Sequence, residues 1–66
     1  MVTIFKAGSD RLADGKWAPN GIVRELQDRH SIREWSPSPT EKTFDTKDEA
    51  DALFEDYCLN QGWQKE

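Results

Sequence analysis

The chain is poor in the side chains that carry chemistry: its 66 residues include one cysteine, Cys58, and one histidine, His30. A single cysteine excludes an internal disulfide. Its place among apolar residues predicts a reduced core thiol, which fits a cytoplasmic protein. One Cys and one His cannot complete the four ligands of a zinc site, and no Asp-x-Asp-x-Asp-Gly loop offers oxygens to calcium. Gly-x-Ser-x-Gly and glycine-rich phosphate loops are also missing, and His30 stands beside Asp28 and Arg29 in what reads as a solvated turn. Catalysis needs a nucleophile or an acid and base held in place by partners. The sequence therefore predicts no enzyme, no catalytic residue, no cofactor and no metal. No stretch approaches the roughly 18 apolar residues of a membrane span, and the N-terminus lacks the basic-then-apolar order of a signal peptide. A membrane partner is not expected.

What the chain does have is aromatic bulk and charge. Three Trp, three Phe and one Tyr supply large areas to bury, which argues for a folded globule although charged residues make up 33% of the chain. A chain of this length hides only about 60% of its unfolded surface, so one small domain spanning residues 1–66 is expected. The net charge of −4 is unevenly spread: residues 1–36 hold six basic and five acidic side chains, residues 37–66 three and eight. Such a chain has no overall attraction to phosphate, and a nucleic-acid site would have to be a local patch.

The clearest element lies between Asp45 and Trp63. Thr46 followed by Glu49 forms a capping box, and Ala50, Leu53, Phe54, Tyr57 and Cys58 recur at the spacing of one helical face. Gly62 then Trp63 is the pattern of a Schellman ending, with Trp63 folding back on Tyr57 or Cys58. These signals predict an amphipathic helix over about 47–61.

Upstream, residues 2–7 read as a strand, being β-branched and aromatic before Gly8-Ser9-Asp10. Residues 8–21 read as a long connection, the most mobile part of the chain, in which Lys16-Trp17-Ala18 pairs briefly. Residues 22–27 and 31–35 read as antiparallel strands around a turn at 28–30. Strand is preferred to helix there because Ile22-Val23 opens the segment and no capping pattern precedes it. Pro37 and Pro39 end the sheet, and 42–44 is a candidate fourth strand. The predicted fold is α+β, a three-stranded antiparallel sheet packed by one C-terminal helix in the order β-β-β-α. Its predicted core is Ile4, Ile22, Leu26, Ile32, Phe44, Ala50, Leu53, Phe54, Tyr57 and Trp63. Alternation leaves open whether Ile4 or Phe5, and Ile22 or Val23, points inward, so one apolar set is expected on a second face.

The junction Phe44-Asp45-Thr46-Lys47-Asp48-Glu49-Ala50 resembles the Phe-x-Thr-x-x-Glu-Ala junction of AP2-like arm domains of phage-type integrases and of small bacterial proteins. The resemblance implies a bacterial or phage protein with a sheet-plus-helix architecture. Arm domains bind DNA through a basic three-stranded sheet, whereas here Glu25, Asp28 and Glu34 stand among the basic strand residues.

Two charged surfaces are candidate partner sites. Asp48, Glu49, Asp51, Glu55 and Asp56 make an acidic outer helix face, of which Asp51, Glu55 and Asp56 would meet a basic partner. The bland alternative is a solvated face whose early acids complement the helix dipole. On the sheet, Arg24, Arg29 and Arg33 with Trp17 and Trp35 combine cations and aromatics as single-stranded nucleic-acid platforms do. Here the competing expectation is cross-strand neutralisation by Glu25, Asp28 and Glu34. The sequence reads as a non-catalytic module, monomeric or weakly dimeric, contacting another protein by its exposed sheet face or acidic helix. Nucleic-acid binding through the sheet is the alternative.

Overall fold

The computed structural model describes residues 2–66 and is α+β. Strands β1 (Val2–Lys6), β4 (Ile22–Gln27), β5 (His30–Trp35) and β6 (Gln64–Lys65) form a four-stranded sheet in the order β5-β4-β1-β6. A second, two-stranded sheet joins β2 (Ser9–Arg11) to β3 (Trp17–Pro19), and one helix, α1, runs Lys47–Asn60.

The register decides which face is the core. Phe5 stands opposite Val23, and Val23 opposite Trp35, so these three side chains share one face across β1, β4 and β5. Helix α1 lies on that face: Phe5, Val23, Phe54 and Cys58 form the buried cluster, flanked by half-buried Ala7, Trp35, Tyr57 and Trp63. Ala50 is also buried, and Gly21 leaves room for the Phe54 ring, which a Cβ at that position would strike along with the Lys6 carbonyl. The core differs from the expected one. Ile4, Ile22 and Leu26 point to the other face, because a period of two that turns Phe5 and Val23 inward must turn their neighbours out. Leu53, Phe44, Tyr57 and Trp63 are half-buried.

Both helix ends follow the sequence. Thr46 is the N-cap, its hydroxyl oxygen accepting the Glu49 amide at 3.2 Å, but the Glu49 carboxylate takes the Thr46 hydroxyl proton at 3.0 Å instead of the Thr46 amide. At the other end Trp63 N–H reaches the Cys58 carbonyl at 3.2 Å and Gly62 N–H the Leu59 carbonyl at 3.0 Å, with Gly62 at φ 84°. These two bonds are the Schellman pair.

That reversal sends the chain into β6, which pairs in parallel with β1 through Ile4–Gln64 and Phe5–Lys65. The sheet is therefore mixed, the helix is followed by a strand, and the fourth strand comes from 64–65 instead of 42–44. After Pro37 and Pro39 the chain has left the main sheet, and Phe44 makes a single antiparallel bridge to Trp17, with amide-to-carbonyl bonds of 2.7 and 2.8 Å.

Residues 8–21 are the largest departure from expectation. The β1–β4 ribbon continues past Gly8 and Gly21, where Asn20 N–H donates to the Gly8 carbonyl at 2.9 Å, and becomes β2–β3. This extension packs on α1, to which the Ser9 hydroxyl ties it by donating to Asp51. At the far end of the main sheet, β4 and β5 meet in a tight turn whose Asp28 (φ 53°) and Arg29 (φ 67°) both have left-handed backbone, and β5 begins at His30. Glu25 faces Arg33 while Leu26 faces Ser31, so Ile32 is the extra residue of a bulge. Having no residue opposite, it is 50% exposed, so it lies outside the core although the sequence places it there.

Candidate functional site

The four-stranded sheet has two unlike faces. On the covered face the core ends in an aromatic row: Tyr57 meets Trp63 edge-on at 6.0 Å between centroids, and Trp63 meets Trp35 at 5.8 Å and 87°. Arg33 closes the row with its guanidinium 4.6 Å from the centre of the Trp35 ring, and Glu25 accepts from Arg33 at 3.4 Å. Edge-to-face rings and a cation over an indole are each favourable by about 0.5–1.5 kcal/mol, so the row seals one side of the core.

The uncovered face carries Val2, Ile4, Ile22 and Leu26. Val2 stands opposite Leu26, Ile4 opposite Arg24 and Ile22 opposite Lys6. All four keep contact with solvent, Val2 being 42% exposed. Arg24 sits among them, paired with Glu34 at 3.2 Å and Glu66 at 3.8 Å. The result is an apolar surface crossed by a neutralised charge. The sequence anticipated an exposed second set, but which set it was depended on a register that neither strand specifies alone.

The structure does not gather the predicted sheet platform. Arg24 lies on the uncovered face, whereas Arg33 and Trp35 lie on the covered one. Arg29 is at the hairpin tip, and half-buried Trp17 belongs to β3, bridged to Phe44. Only Arg33 and Trp35 come together. On the helix, Asp51 accepts from Lys47 at 2.6 Å and from the Ser9 hydroxyl. Glu55 pairs with Lys65 at 3.1 Å, and Asp56 is exposed. Two of the three candidate acids are thus engaged within the chain, by partners distant in sequence in the case of Ser9 and Lys65.

Burial pulls the Asp51 carboxyl upward, but hydrogen bonds from Lys47 and Ser9 and the Lys47 charge outweigh it and hold the group below its usual value. The Cys58 thiol is buried, and that burial pushes its pKa up to about 11. A thiol so placed is protonated at neutral pH and weakly nucleophilic. Among the described residues no three His, Cys, Asp or Glu side chains group as metal ligands would, and no helix is long and apolar enough to cross a membrane. No protein-family model matches the chain, and neither a curated protein nor a solved structure is significantly similar to it.

Proposed function

We propose that this chain is a non-catalytic binding module that contacts another protein through the uncovered face of its four-stranded sheet. The observation that carries the reading is the two-sidedness of the sheet: one helix covers Phe5 and Val23, while Val2, Ile4, Ile22 and Leu26 remain in contact with solvent on the other side. An apolar surface rimmed by charge suits a protein partner, whose own apolar groups gain by excluding water from it. The acidic helix is the weaker surface, because Asp51 and Glu55 already have cationic neighbours in Lys47 and Lys65.

The test uses tagged wild-type protein and the double variant Ile22→Thr/Leu26→Thr, which puts a β-branched, strand-compatible side chain at both positions of β4 but removes apolar area from its outer side. Each is incubated with source lysate with and without nuclease. The expected result is a partner retained by wild type regardless of nuclease and lost by the variant, with unchanged circular dichroism. Retention by the folded variant overturns the assignment of the surface. Release of the wild-type partner by nuclease, together with the steep salt dependence of counterion release, would identify nucleic acid instead.

A further inference from the structure

We draw no further inference here: the strongest candidate, the uncovered sheet face around Ile4, Ile22 and Leu26, carries nothing beyond the reading already given because nothing in the structure shows what covers it.

Discussion

Phe54 has no solvent contact and packs on Phe5 with ring centroids 6.5 Å apart, between a sheet and a helix with few other buried side chains. Truncation there leaves a void that so small a core cannot refill. Phe54→Ala is expected to cost about 3–5 kcal/mol, most of the margin of a typical small domain, and a urea melt would show a large fall in midpoint. Cys58 sits beside it. A thiol-reactive dye should label it slowly under native conditions and rapidly in denaturant, whereas equal rates would contradict its burial. Asp51 makes a pH-dependent contribution with a definite sign. Its folded pKa lies below the unfolded value near 3.8, so the stabilisation is full above that value and disappears as pH falls through the folded pKa. Asp51→Asn should therefore lower stability at pH 7 by under about 1 kcal/mol, given the solvent exposure of the pair, read as a lower urea midpoint, and the difference should vanish in acid. A gap that persisted at pH 2 would assign the loss to packing.

At the scale of elements, legibility tracked how local the determining interactions are. The helix was readable at both ends because Thr46 acts with Glu49, and Gly62 and Trp63 with the last helical residues, over short sequence distances, and the structure shows these residues at the ends of Lys47–Asn60. The β4–β5 hairpin was readable for the same reason, although its turn is tighter than the expected 28–30. By contrast β2 was missed, and β3 was expected only as a brief pairing at Lys16-Trp17-Ala18, since Ser9-Asp10-Arg11 has no β-branched or aromatic residue and pairs where the ribbon past Gly8 and Gly21 continues onto the helix. Strand β6 was missed because Gln64 and Lys65 are strand residues only by virtue of β1 beside them. The hairpin turn offers its own test. Asp28 and Arg29 hold left-handed backbone that glycine adopts freely, so Arg29→Gly should stabilise the fold by up to about 1 kcal/mol, read as a raised midpoint. Destabilisation would mean that the arginine side chain contributes more than its backbone costs.

Across the whole molecule, partition of the sheet into two faces was foreseeable from alternating apolar residues, but its polarity was not. Choosing Phe5 and Val23 over Ile4 and Ile22 required the cross-strand register, the space at Gly21 and the approach of Phe54, all of them long-range facts. The scattering of Arg24, Arg33 and Trp17 over different surfaces follows from the same register and from the departure of β3 into its own sheet. Strand β1 stands in the middle of all this, paired on one side with β4 and on the other with β6. The β4–β5 and β1–β6 pairings differ greatly in chain distance: β4 and β5 close around Asp28 and Arg29, whereas Gln64 must find Ile4 across nearly the whole polypeptide. Loop closure is entropically dearer for the second, which orders events in time as well as in space. The hairpin is therefore expected to form early and β6 to dock late, after the helix has brought Trp63 to Trp35. Gln64→Pro should then quicken unfolding in stopped-flow while leaving the refolding rate nearly unchanged, so that the seam between β1 and β6 sets how long the native state lasts more than how fast it is reached.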